Sequence, residues 1–153
     1  MQMEDAESLF RLHSDDPEAL QFIAWHPTHV AEVVVALLKL GQTFRKGQDV
    51  LWAIRVRDEL DFVGLIHLAN IHDTESDVHF FIARPYWGRG IVPEALAAVV
   101  AFAKERLCLS RVRGWCDVDN VRSARVFEKV GFRDLGMAQS TAMRVARTFA
   151  LEL

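Results

Sequence analysis

Apolar residues recur along the chain at two periods, and the changes of period mark out the elements. Ala6, Leu9, Phe10 and His13 stand at helical spacing and predict an opening helix. Ser14-Asp15-Asp16-Pro17 breaks it, and Pro17 suits the first turn of a short second helix with Leu20, Ile23 and Ala24 on one face. Thr28 is the predicted N-cap of a third helix, whose stripe of Val30, Val33, Val34, Leu37 and Leu38 stops at Gly41. Beyond Gly47 the period falls to two. Val50–Val56 is a predicted strand with Trp52, Ile54 and Val56 on one face, Asp58–Asp61 a turn, and Phe62–Leu68 the returning arm of a hairpin. The polar run His72–Asp77 reads as a loop before a largely buried strand, Val78–Ala83. Pro93 fits the first turn of a helix carrying Leu96, Val99, Val100, Ala103 and Leu107. Val112–Val118 is again a strand. Asp119-Asn120 caps a helix with Val126, Phe127 and Val130 inward, ending at Gly131. Phe132–Leu135 and Met143–Leu153 close the chain as strands. This order predicts one mixed α+β domain over residues 1–153.

Composition narrows the classes. A chain of 153 residues, 51% hydrophobic and 25% charged, can bury a real core and is not disordered. A net charge of -3 without long single-sign blocks speaks against a nucleic-acid binder or a polybasic membrane surface. The apolar stretch Val30–Leu40 is interrupted by Glu32 and Lys39 and is too short to span a bilayer, and the acidic N-terminus has no signal-peptide pattern. Two cysteines, Cys108 and Cys116, make no disulfide framework, and no metal-ligand spacing occurs, so both read as reduced thiols. A cytoplasmic enzyme or binding protein is expected.

Two segments could carry chemistry. Trp87-Gly88-Arg89-Gly90-Ile91-Val92 joins a predicted strand to a helix, where glycines allow close approach and free N–H groups attract phosphate. It has no following Gly-Lys-Ser/Thr and no third glycine, so it is neither a Walker loop nor a dinucleotide fingerprint; alone it reads first as a tight turn. In the second segment, Asn120 alone reads as an N-cap and Ser123 as a solvated first-turn serine.

Together, Arg84-Pro-Tyr-Trp-Gly-Arg-Gly-Ile-Val-Pro-Glu-Ala-Leu96 and Asn120-Val-Arg-Ser-Ala-Arg-Val-Phe-Glu-Lys-Val-Gly-Phe132, one helix and one strand apart, resemble the GNAT superfamily of N-acetyltransferases. The resemblance is to the branch that includes ribosomal-protein N-terminal acetyltransferases, and it is strongest over Val78–Leu135. It implies a central twisted sheet flanked by helices, with acetyl-CoA held where Val78–Ala83 and Val112–Val118 splay apart. It further implies the pyrophosphate on the amides of Gly88, Arg89, Gly90, Ile91 and Val92, beside Trp87, and the pantetheine along Ile82, Ala83 and Arg84. Asn120, Ser123 and Phe127 would face the pantetheine and the thioester, with Ser123 and Asn120 as the catalytic candidates. The acceptor implied is a primary amine, at a peptide N-terminus or on a small molecule; a CoA-binding module without activity is the alternative.

Three departures accompany the resemblance. Trp87 and Val92 replace the usual residues at the two ends of the loop. Phe127 stands where many members carry a tyrosine that protonates the leaving thiolate, so that acid is excluded. The first strand of the family is absent ahead of the opening helix, which leaves Val50–Val56 as an edge and predicts a homodimer or other assembly.

Other residues have simpler expectations. His67 and His79 are read as structural strand histidines before catalytic bases. Glu94 complements a helix dipole. Asp117 shares a strand face with Arg113 and Trp115 and is expected to pair with arginine. Trp25, Trp52 and Trp115 read as core or pocket wall. Cys116 lacks a placed His/Asp partner and reads as a poor acyl-carrying nucleophile.

Overall fold

The computed structural model describes residues 4–14, 21–23, 25–57, 59–139 and 145–153. Helix α1 (Asp5–Ser14) follows the predicted spacing and buries Ala6 and Leu9. Asp5, 5% exposed, forms an ion pair with Arg55 that ties the helix to the sheet. The short helix expected after Pro17 falls mostly outside the described residues.

Helix α2 (Val30–Arg45) corrects the sequence reading at both ends. Its N-cap is His29, whose Nδ1 accepts the Ala31 N–H at 3.1 Å, while Thr28 Oγ1 donates to Glu32 at 2.7 Å. It runs through Gly41 and stops before Gly47, which takes φ 71° and whose N–H bonds Phe44 O. An interior glycine weakens a helix by about 1 kcal/mol but does not end it; a left-handed glycine does. Val33 and Leu37 are buried, whereas Leu38 is exposed, because roughly 100° of turn per residue carries it off that line.

Strands β1 (Val50–Val56) and β2 (Glu59–His72) form the expected hairpin, with register shifts around Arg55. Of the predicted Asp58–Asp61 turn, Asp58 lies outside the described residues, and β2 already begins at Glu59. The His72–Asp77 loop shrinks to a turn, and β3 (Glu75–Ile82) starts within it. The reason is cross-strand: Arg111 reaches Glu75 at 2.9 Å and Arg113 reaches Asp77 at 3.1 Å, so these polar residues complete the ladder. Arg113 therefore pairs with Asp77 and not with Asp117, whose Oδ1 accepts the Asp119 N–H.

The remaining elements are α3 (Ile91–Leu107), β4 (Arg111–Asp117), α4 (Val121–Val130), β5 (Arg133–Gln139) and β6 (Val145–Glu152). The six strands are ordered β1-β2-β3-β4-β6-β5, and only β3 and β4 run parallel. β6 inserts between β4 and β5, so among the described residues the edges are β1 and β5. Side chains alternate across this sheet. One face carries the larger core, with Ile66, Val78, Val112 and Phe149 against Leu96 and Ala103 of α3 and Phe127 of α4. The other face packs Phe62, Leu51 and Leu65 against α1 and α2. No helix is long and apolar enough to cross a membrane among the described residues.

Candidate functional site

The parallel pairing of β3 with β4 lasts four residues, from Glu75↔Arg111 to Val78↔Gly114. Beyond it the strands separate: β3 continues to Ile82 beside β2, and β4 continues to Asp117 beside β6. Gly114, at the fork, has no side chain where a Cβ would lie 2.3 Å from the Phe127 ring. That ring is 1% exposed and stacks on Phe149 at 4.8 Å, with Phe80 and Phe132 at its sides. An aromatic wedge from α4 thus fills the space under the fork.

The separated strands leave backbone groups exposed to the gap. Ala83 N–H donates to Val63 O of β2 at 2.9 Å. By the two-residue period, the N–H and C=O groups of Phe81 face the same way, and those of Phe80 and Ile82 face the gap. Trp87 Nε1–H donates to the Ile82 carbonyl at 2.9 Å and pins the following loop to this edge. Gly88 and Gly90 take φ 74° and 80°, a left-handed conformation that glycine adopts without strain, and Gly90 is the N-cap of α3. Helical bonding begins with Glu94 N–H to Gly90 O, so the N–H groups of Ile91 and Val92 lack intrahelical partners.

A cavity of about 900 Å³ occupies the gap and is lined by residues from both faces of the sheet. Of the residues expected at the cofactor site, Ile82, Trp87, Gly88, Gly90, Ile91, Val92, Asn120, Ser123 and Phe127 line it. Three do not. Ala83 is buried with its N–H spent on β2, Arg84 opens the 3₁₀ turn Arg84–Tyr86, and the Arg89 guanidinium lies 5.1 Å over the Tyr86 ring. Asn120 is the cap its local sequence suggests: Oδ1 accepts the Ser123 N–H at 3.1 Å. Its carboxamide nitrogen is the group left to face a ligand.

Arg122, Arg125 and Lys129 also line the cavity, and Arg122 lies 4.3 Å over the Trp87 ring. Their spacing of three and four is a one-sided basic stripe on α4, readable in the sequence once the helix is placed. This end of the cavity combines free backbone N–H groups with cations and suits an anion.

The face toward α1 and α2 differs. Leu65, His67, His79, Phe81 and Trp115 line it from the sheet, with Phe22, Ile23 and Trp25 alongside. His67 Nε2 is 3.0 Å from Asp49 Oδ1. Burial pushes the His67 imidazole below its ordinary range, against the raising pull of Asp49. Burial lowers His79 likewise, with His67 adding to the effect. Asp49 had no signal in the sequence, since nothing local ties it to a histidine 18 residues later. Cys116 is buried on the opposite face, its thiol pushed up to about 11 by burial, which leaves it a protonated thiol.

The family model for the acetyltransferase (GNAT) domain matches residues 1–133. YoaA of Bacillus subtilis (strain 168), an N-acetyltransferase itself uncharacterised, is 23% identical over 136 residues, 88% of this chain and 77% of its own length. The structure of the microcin C7 self-immunity acetyltransferase MccE, in complex with acetyl-CoA and AMP, aligns with TM-score 0.89 at 16% identity, covering 99% of this chain and 89% of that one. RimL, a ribosomal L7/L12 alpha-N-protein acetyltransferase in complex with coenzyme A, aligns with TM-score 0.91 at 16% identity, covering 100% and 91%. At such identities the structural likeness speaks for the fold.

Proposed function

The chain belongs to the GNAT acetyltransferase family, and from that premise we propose that it moves the acetyl group of acetyl-CoA directly to a primary amine, at a peptide N-terminus or on a small molecule. The observation that carries this reading is the fork. A cavity of about 900 Å³ passes between β3 and β4, with an anion-suited loop on one face and an aromatic, histidine-bearing wall on the other. Two substrates can then meet from opposite faces, which converts a bimolecular encounter into an oriented one.

In this reading the pyrophosphate lies on the Gly88–Val92 amides, with Arg122, Arg125 and Lys129 nearby. The backbone groups of Phe80 and Ile82 hydrogen-bond the pantetheine as an added strand would, and their N–H groups are the donors available to a developing oxyanion. The amine nitrogen attacks the thioester carbon, the C–N bond forms, and the C–S bond breaks. MccE and RimL, whose structures hold acetyl-CoA and coenzyme A, support this ligand by analogy. The test is calorimetry with acetyl-CoA, followed by an amine screen read by released thiol. Failure to bind acetyl-CoA would sink the reading.

Two side chains separate binding from chemistry. Phe127 has no proton to give, so Ser123 is assigned to hydrogen-bond the departing sulfur or relay a proton to it. Ser123→Ala is expected to lower kcat toward the small end of the roughly 10²–10⁴-fold typical of positioned proton transfer. An unchanged kcat with a raised acetyl-CoA KM would make Ser123 a binding residue only. Asn120 holds the helix with its oxygen and the ligand with its nitrogen. Asn120→Asp is expected to keep thermal stability and weaken acetyl-CoA binding, whereas Asn120→Ala loses binding and about 1 kcal/mol of capping as well. Equal melting temperatures for the two variants would argue against the cap.

The same reading includes pairing between chains through the β1 edge. A dimer mass by light scattering is the expected result, and a monodisperse monomer at high concentration would remove it.

A further inference from the structure

We propose that His79 is the general base for the acceptor amine, with the His67–Asp49 pair behind it as a positioning element. This rests on the acetyl-transfer reading above and adds the group that removes the proton.

His79 and Trp115 are the first residues of β3 and β4 beyond the last parallel pair, Val78↔Gly114. Their rings meet edge to face at 5.7 Å and flank the gap on the α1/α2 face, opposite the core face. An acyl group delivered through the gap from the Gly88–Val92 side emerges beside them. His67 sits directly across the ladder from His79, ring centroids 6.1 Å apart, and its Nε2 faces the Asp49 carboxylate. No hydrogen bond joins the two imidazoles, so the His67–Asp49 pair acts on His79 by packing and through its charge.

Other groups lining the cavity serve less well: the Cys116 thiol is held protonated by burial, His67 Nε2 is taken up by Asp49, and Phe127 has no titratable atom. Burial keeps His79 neutral in neutral solution, with its lone pair available. The groups acting on it are known. A charged His67 lowers it further, while Asp77 and Asp49 raise it, and Asp77 is itself held by Arg113 at 3.1 Å and Asn70 at 3.0 Å. The negative charge of Asp49 therefore favours the imidazolium that forms during the reaction.

The proton balance is complete. The acceptor arrives as an ammonium with three N–H protons and leaves as an amide with one. His79 takes one proton and releases it to solvent. The other leaves the nitrogen as the C–S bond breaks and ends on the CoA sulfur, which carries away the bonding pair. The products are an amide, a free thiol and one proton.

The experiment uses the full chain with acetyl-CoA and three amine probes: a tripeptide with a free N-terminus, spermidine, and an aminoglycoside. Wild-type kcat on the fastest probe is expected to rise with pH along an acid limb below about 6.5 and then level off. His79→Gln should lower kcat by about 10²-fold or more and abolish that limb, with acetyl-CoA affinity within about twofold. Added imidazole should restore part of the rate. Asp49→Asn, which leaves both rings in place, should move the limb to lower pH and lower the plateau. A His79→Gln enzyme with wild-type kcat and an intact limb overturns the assignment. If circular dichroism shows that variant unfolded, Asp49→Asn decides: a limb that does not move overturns the proposal. Binding of acetyl-CoA without turnover of any probe refutes the acetyl-transfer reading instead, and the base falls with it.

Discussion

Replacing Gly90 by valine is expected to abolish coenzyme A binding in calorimetry, while the same change at Gly47 leaves binding intact. The two glycines are matched in backbone strain. Gly90 sits at φ 80° and Gly47 at φ 71°, and a Cβ on either would meet nothing within 4 Å. A β-branched side chain in this conformation costs about 1–3 kcal/mol, so both variants should melt earlier by similar amounts. They differ in what the open space is for. At Gly90 it lies in the cavity, at the N-terminus of α3, among the N–H groups assigned to the pyrophosphate. A valine there blocks close backbone approach and removes those charge-assisted bonds together. At Gly47 the space is a turn after α2, away from the cavity. Loss of binding in both variants would trace the effect to stability. Retained binding in Gly90→Val would remove the phosphate assignment.

The second large effect is structural. Gly114→Ala is expected to destabilise the fold by about 3 kcal/mol, roughly two orders of magnitude in the folding equilibrium. A methyl group at Gly114 would lie 2.3 Å from Cε1 and 2.4 Å from Cζ of Phe127. The ring cannot swing away freely, because Phe80, Phe132 and Phe149 hold it on its other sides. Urea denaturation should show a lower midpoint at unchanged slope. Phe127→Leu, added to Gly114→Ala, should recover part of the loss, since contacting residues are non-additive. A cost under about 1 kcal/mol would mean that the wedge is looser than its contacts indicate.

Much of this molecule is decided locally and could be read from the chain. The period of apolar residues placed α1, α3, α4, β1 and β6 close to their observed bounds, because each must bury one stripe or face whatever its partner. The two motifs located the loop at Gly88–Val92 and the cap at Asn120, since a left-handed glycine and an N-capping side chain act within three or four residues. The absence of a tyrosine at Phe127 needed no structure at all. What the sequence misplaced were choices between equivalent local signals. Gly41 and Gly47 can each end a helix by composition, and only the left-handed backbone at Gly47 selects one. Glu75 and Asp77 look like loop residues until Arg111 and Arg113 stand beside them.

The face toward α1 and α2 is a different matter. His67 and His79 are 12 positions apart, Asp49 lies 18 before His67, and Trp115 is 36 beyond His79; no local spacing relates them. Hairpin register sets the two histidines opposite each other, while β6 holds the far edge of β4 along its whole length and so carries β4 on to Asp117 after β3 has left it. The cavity therefore exists because two strands stop pairing after four residues, an outcome of long-range packing around Phe127 that no single segment encodes. The chain's own pattern determined its elements and the loop that suits a phosphate. Tertiary structure alone decided the gap between β3 and β4 and the histidine-bearing wall beside it, because these depend on side chains brought together across strands distant in sequence.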